Sequence, residues 1–364
     1  LILPQSSLPA DLRKSAHLKT RAVESSGETP QAIRRSPQTL VRPALEPSRY
    51  NCTRIEVGSV HGEMSTSRTV RWLSKPSLRQ PTFVCAFTGW NDAADAASNA
   101  VRHLIEGWGA TPLAEIDPEP YTDFATIRPH VRLSDGGERE IVWPKVTLWH
   151  VNGAGGDIIL SLGPEPSLQW RRFSNDLRSI AEHFGSTMFL TLGALLADVA
   201  HRRPVQLIGT ATDSELIERY NLRRSRYEGP TGIIGVLHDE LTQSGLPSAS
   251  LWAAVPAYAS QVPSPKASLA LMRRTCEIIG TPAPVGAVLN LIERYEEQVN
   301  ALVEEDEDLS EYVTRLESAS DSGVPLSDEV NDDQLQLEFD DEQDPSAAEL
   351  VTEVERFLRE QNPE

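Results

Sequence analysis

The run Phe83-Val84-Cys85-Ala86-Phe87 restricts the possible folds more than any other stretch. Five consecutive apolar residues, bounded by Pro81 on one side and Gly89 on the other, suit a strand covered on both faces. Gly89-Trp90-Asn91-Asp92 then breaks the run. Gly89 is free to take an unusual backbone angle, and Asn91 or Asp92 can cap a following helix. That helix is predicted over residues 93–106. Ala93, Ala94, Ala96, Ala97 and Ala100 let it lie close to a sheet, and Val101, Leu104 and Ile105 supply the larger contacts. A strand, a sharp turn and a helix in this order open many α/β domains and set the turn at the carboxyl edge of the sheet, where ligands and partners are usually met.

The pattern continues downstream. Residues 113–116, 146–151, 157–162, 187–192, 205–211 and 250–255 read as further strands. Residues 127–133 and 138–143 flank Asp135-Gly136-Gly137, a hairpin signal. Gly153-Ala154-Gly155-Gly156 leads into a strand, so it reads as a tight turn and not as a phosphate loop. Trp170, Phe173, Leu177, Ile180 and Ala181 recur at helical spacing, and helices are expected at 213–220, 233–243, 265–279 and 285–303. Alternating strands and helices predict an α/β fold with a mixed, mostly parallel sheet between helical layers.

Charge divides the chain. Residues 1–79 carry 13 basic and 6 acidic groups, 80–300 carry 18 and 25, and 301–364 carry 3 and 22. The net charge of −19 therefore resides in the tail, and the middle lacks the dense basic face that nucleic-acid binding needs. No apolar run is long enough to span a membrane. Three scattered cysteines, Cys52, Cys85 and Cys276, fit a reducing compartment, hence the cytoplasm. Residues 1–79, rich in Ser, Pro and Arg, are expected to be a disordered or mis-started extension, since the sequence begins at Leu1 and Met64 lies just before the folded part. Residues 80–303 form the expected domain, 304–346 a flexible acidic tail, and 347–360 a short amphipathic helix. Its apolar face, Leu350, Val354, Phe357 and Leu358, would dock on the domain or on a partner.

Spacings for metal ligation, a nucleophile elbow and a Walker loop are all absent, so neither a metal nor a cofactor is expected. Three polar clusters stand out. In Trp90-Asn91-Asp92 the carboxylate could serve as a base or simply as a helix cap. In His201-Arg202-Arg203-Pro204 the imidazole titrates near neutrality and Arg203 could hold an anion; a helix end would equally stabilise the histidine. In Glu228-Gly229-Pro230-Thr231-Gly232, glycines entering a helix could form an anion site or only permit the tight entry.

Read in order, His201-Arg202-Arg203-Pro204-Val205, Gly209-Thr210-Ala211-Thr212-Asp213, Tyr227 to Leu237 and Ser250-Leu251-Trp252-Ala253-Ala254-Val255-Pro256 resemble the bacterial branch of the proteasome assembly chaperone 2 family. Glu165-Pro166 followed by Trp170 and Phe173, and Pro265-Lys266-Ala267, match the same pattern, and the likeness covers about residues 80–300. It implies a three-layer α/β/α sandwich that is nucleoside phosphorylase-like, self-assembly into homo-oligomers, and a protein partner, with proteasome subunits as candidates. Some bacterial relatives carry an ATP-grasp-like carboxylate-amine ligase label; no residues here support it. The family favours a glycine at Ala94, so the turn reads as already helical there. Its docking chaperones end in a hydrophobic residue, tyrosine and one more, whereas this sequence ends Gln361-Asn362-Pro363-Glu364, so docking by that device is not expected. The leading expectation is a non-enzymatic, assembly-chaperone-like protein. The alternative is a nucleoside- or nucleotide-like small-molecule binder or enzyme with a pocket near Asp92, His201 and Glu228.

Overall fold

The computed structural model describes residues 69–134 and 137–321. In chain order the strands are β1 (Val70–Trp72), β2 (Thr82–Thr88), β3 (Thr111–Ile116), β4 (His130–Leu133), β5 (Arg139–Val142), β6 (Val146–Gly153), β7 (Gly156–Pro164), β8 (Met188–Ala197), β9 (Leu207–Ala211) and β10 (Ser248–Pro256). The helices are α1 (Ala96–Trp108), α2 (Trp170–His183), α3 (Ser214–Tyr220), α4 (Ile233–Ser244), α5 (Pro265–Ile279), α6 (Gly286–Glu304) and α7 (Glu307–Asp321). Eight strands form one sheet in the order β1-β3-β6-β7-β2-β8-β10-β9. The central four, β7, β2, β8 and β10, are mutually parallel. Following the pairings outward, β3 shares their direction while β1, β6 and β9 oppose it, so five of eight strands run one way.

Alternation along β2 sorts the two cores. Val84 and Ala86 face α1 and α5, where Ala96, Ala97, Ala100 and Leu104 meet Leu271 and Met272. Phe83, Cys85 and Phe87 face α2 and α4, against Phe173, Leu177, Ile233 and Leu237. All five β2 residues are essentially inaccessible to water, which is why the run needs no polar alternation. Small residues on α1 bring α5 within direct reach: the Ser268 hydroxyl donates to the Ala96 carbonyl at 2.9 Å. No helix among the described residues is long and apolar enough to cross a membrane.

The hairpin β4–β5 is a separate two-stranded sheet. Both its faces are exposed, and Val131, Leu133, Ile141 and Val142, with Trp143 just beyond, present apolar surface to solvent. The turn residues 135 and 136 lie outside the described residues.

Three expectations are corrected. Residues 70–72, placed in the unstructured extension, form β1, which pairs antiparallel with β3. Its three residues are too few to show a period, and the partner lies more than forty positions away. Second, the acidic tail does not begin at 304. Leu309 and Val313 of α7 bury against Tyr295, Val299 and Val303 of α6, and Tyr312 donates to Asp198 at 2.5 Å. The sequence signal was Leu309, Tyr312 and Val313 at helical spacing, masked by the surrounding acids. Residues 347–360, with Leu350, Val354, Phe357 and Leu358, lie outside the described residues.

Third, the helix does not start at Ala93. Residues Ala93–Asp95 form a short 3-10 turn in which Ala94 (φ 49°) and Asp95 (φ 52°) are both left-handed, and α1 begins after them. Ala94 is thus still turn. An L-residue in this conformation is strained by about 1 kcal/mol, offset in part by the extra freedom a glycine gains on unfolding. Ala94→Gly is expected to raise stability by about 0.5 kcal/mol, read from the urea midpoint; a lowered midpoint would contradict the left-handed turn.

Candidate functional site

The turn after β2 sits at the carboxyl edge of the parallel strands and is tied to three other elements. Gly89 takes φ 120°, a conformation open to glycine. The Ala194 amide of β8 donates to the Asn91 carbonyl at 2.9 Å, which prolongs the β2–β8 contact past the strand end. The Asn91 side-chain amide donates to Glu165 Oε1 at 2.8 Å. That same oxygen accepts from the Ile233 amide, at the first turn of α4, at 2.7 Å. Gly232 completes the junction, because a Cβ there would fall 2.5 Å from Asn91 Nδ2 and 2.8 Å from Glu165 Oε1. Three segments more than sixty residues apart therefore meet at one carboxylate, which fills the anion position that the glycine-rich entry to α4 offers.

Asp92 turns away from this junction. Only 6% exposed, it accepts at Oδ1 from the amides of Ala97 (2.7 Å) and Ser98 (3.1 Å) and so caps α1. Its Oδ2 is buried without a hydrogen-bond partner. Burial pushes the carboxyl up to about 6, against the lowering effect of the Ser98 and Ala97 hydrogen bonds.

His201 belongs elsewhere. Its Nδ1 lies 2.7 Å from the Tyr258 hydroxyl and its Nε2 2.9 Å from Asn300 Oδ1 on α6. It sits in a turn after β8 and not at a helix end. Burial, reinforced by Arg202 and Lys266 and opposed by the Asn300 hydrogen bond, holds its pKa below the ordinary imidazole value. Arg203 pairs with Asp321 at 2.6 Å and Arg202 with Glu317 at 3.5 Å. The anions these arginines meet are thus carboxylates of α7, and the loop is a clasp for the last described helix.

The pocket expected near Asp92, His201 and Glu228 is not formed. Asp92 faces α1, His201 faces α6, and Glu228 is exposed. Trp170 packs beside the α2–α4 core, and Gly229 lies against the Tyr227 ring, whose hydroxyl donates to the Pro230 carbonyl at 2.7 Å. Trp90, Asn91 and Thr231 do share a cavity, but a different one. A cleft of about 570 Å³ opens between α4 and the β10–β9 edge, roofed by the loop from Arg223 to Thr231. Its floor is Ile208 and Thr210 of β9 with Ser250 and Trp252 of β10. Thr210 and Ser250 hydroxyls are 2.8 Å apart. His238 of α4 lies 2.9 Å from both the Thr191 and Ser248 hydroxyls, and burial pushes its pKa down to about 4. Reading the sequence missed Arg224, Arg226, His238 and Trp252. One signal was present: Ser248, Ser250 and Trp252 share one face of β10, an unusual choice for a strand lying wholly in a core.

The comparisons agree with this architecture. A family model described as PAC2 family matches residues 86–303. No curated protein matches the sequence. Solved structures do. A PAC2 family protein from Streptomyces avermitilis MA is 43% identical, with a TM-score of 0.59, covering 64% of this chain and 99% of that one. The proteasome-assembly chaperone homologue of Mycobacterium tuberculosis is 40% identical, with a TM-score of 0.58 and coverages of 64% and 99%. PbaB of Pyrococcus furiosus, an archaeal proteasome activator, is 16% identical with a TM-score of 0.53, covers 64% of this chain and 98% of that one, and shares the fold alone. With more than half its length matched by the family model and two solved relatives at 40% identity or above spanned almost end to end, the chain belongs to the PAC2 family.

Proposed function

We propose that the chain is a non-enzymatic, protein-binding assembly chaperone whose clients are proteasome subunits, and that it works as a homo-oligomer. One observation carries the reading: 40% identity across 99% of a protein described as a proteasome-assembly chaperone homologue. The hairpin β4–β5 supports it. An exposed strand pair with apolar side chains on show is a common interaction surface and a poor choice for a solitary monomer. A cytoplasmic location is part of the reading, because Cys85 and Cys276 are free thiols, which a reducing compartment preserves.

Affinity co-purification from the cells of origin tests the client. Full-length protein is expected to recover proteasome core subunits, identified by mass spectrometry. A triple variant, Val131→Ser, Leu133→Ser and Ile141→Ser, is expected to recover several-fold less while melting at the same temperature. Recovery of the chain alone by the full-length protein would rule the reading out.

A further inference from the structure

On the α2–α4 side of the sheet two helices among the described residues cover the strands, and the β10–β9 edge beside α4 forms the cleft described above. The cleft's walls are unlike the rest of the molecule. Residues 80–300 carry 25 acidic groups against 18 Lys and Arg, yet none of the described residues lining the cleft is acidic and three are arginines. Arg224 and Arg226 are exposed and make no ion pair among the described residues.

The aromatic groups are arranged with equal bias. Trp90 stands at the rim with 44% of its surface in water. Trp252 lies flat across β8: a Cβ on Gly193 would come within 2.5 Å of its ring, so β8 gives up a side chain at that point to let the indole rest on the sheet. Tyr227 closes the loop side. Below them the polar floor is already satisfied, since the hydroxyls of Thr210 and Ser250 face each other and His238 is held between the Thr191 and Ser248 hydroxyls. A volume near 570 Å³ falls in the range of small-molecule sites.

We propose that this cleft binds a small planar aromatic anion, with its ring against Trp252 and Trp90 and its phosphate or carboxylate on Arg224 and Arg226. Flat rings stack on indoles, and a guanidinium matches either oxyanion with paired hydrogen bonds. The inference is independent of the assembly role and could hold if that role did not.

Isothermal titration of the full-length chain tests it. The probes are AMP and indole-3-acetate as ring-bearing anions, adenosine as a ring without charge, and inorganic pyrophosphate as charge without a ring. At least one ring-bearing anion is expected to bind about tenfold or more tightly than either control, and which one does so distinguishes phosphate from carboxylate. The double variant Arg224→Ala, Arg226→Ala, on an exposed loop, is expected to weaken that binding about tenfold, and so is Trp90→Ala, with melting temperatures unchanged in both. Pyrophosphate binding as tightly as the ring-bearing anions would reduce the cleft to a basic patch and overturn the proposal. So would the absence of binding by both ring-bearing anions at roughly millimolar concentration, or unchanged affinity in the arginine variant.

Discussion

Replacing Asp92 by asparagine is expected to favour the protein more at pH 7 to 8 than at pH 4 and to flatten its stability profile between pH 4 and 6. The carboxyl is held at about 6, above its ordinary value of 3.8, chiefly by burial. Because the folded state keeps its proton to higher pH than the unfolded chain does, the stability that this one group contributes is fully present below about 3.8 and is lost as pH rises through about 6. The total loss is about 3 kcal/mol, from roughly two pH units at 1.36 kcal/mol each. Asparagine has the same shape, its carbonyl can still accept from Ala97 and Ser98, and it carries no charge to desolvate. The variant is therefore expected to stand about 3 kcal/mol higher against the wild type at pH 8 than it does at pH 4, while its amide nitrogen, placed where Oδ2 has no partner, costs about 1 to 3 kcal/mol at both. Urea titrations at half-unit pH intervals provide the check. Parallel profiles for the two proteins would show that Asp92 does not titrate in this window.

Phe83→Ala is expected to cost about 3 to 5 kcal/mol, while Phe83→Leu costs about 1.5 kcal/mol or less. Phe83 is 0% exposed. It stacks on Phe189 with ring centroids 4.3 Å apart and planes 13° from parallel, joining β2 to β8 through side chains as well as backbone. Truncation leaves a void at the centre of the sheet, with β7 and β8 on either side and little room to collapse. The leucine variant retains most of the volume and loses only the stacking. Denaturant unfolding followed by circular dichroism separates the cases. A loss under about 1 kcal/mol for the alanine variant would mean that β2 is not the buried centre described.

What could be read from the sequence follows a physical division. The run at Phe83 and the helix Pro265–Ile279 were legible because their determinants are local: unbroken apolar residues in one, and in the other a Ser264 cap that accepts from Ala267 and a left-handed Gly280 at the far end. The parallel centre and flanking helices followed from the alternation of elements. Conformations imposed from a distance were not legible. The local propensity of the alanine-rich stretch around Ala94 is for helix, and it outweighed the glycine that the resembled family favours there, which was the one pointer to a left-handed turn. Asn91, Glu165 and the glycines before Ile233 were each singled out, yet their meeting depends on chain crossings that no local pattern encodes. Asp92 and His201 drew notice as titratable groups, and each proved to be held by its own structural partners. The cleft escaped because its loop, Arg223 to Thr231, has no periodicity, and the one trace of it, Ser248 and Ser250 on the same face of β10 as Trp252, does not say which elements close over that face.

The clasp of α7 has a practical consequence for shortening this protein. A boundary drawn at residue 304, where the acids begin, would remove the cover from Tyr295, Val299 and Val303 and leave Arg202 and Arg203 without Glu317 and Asp321. Such a truncated form would carry a bare greasy stripe beside two cations stripped of their carboxylates, a surface made by the scissors and prone to self-association. Stoichiometry measured on it would describe the cut end, whereas a boundary after residue 321 keeps the stripe covered.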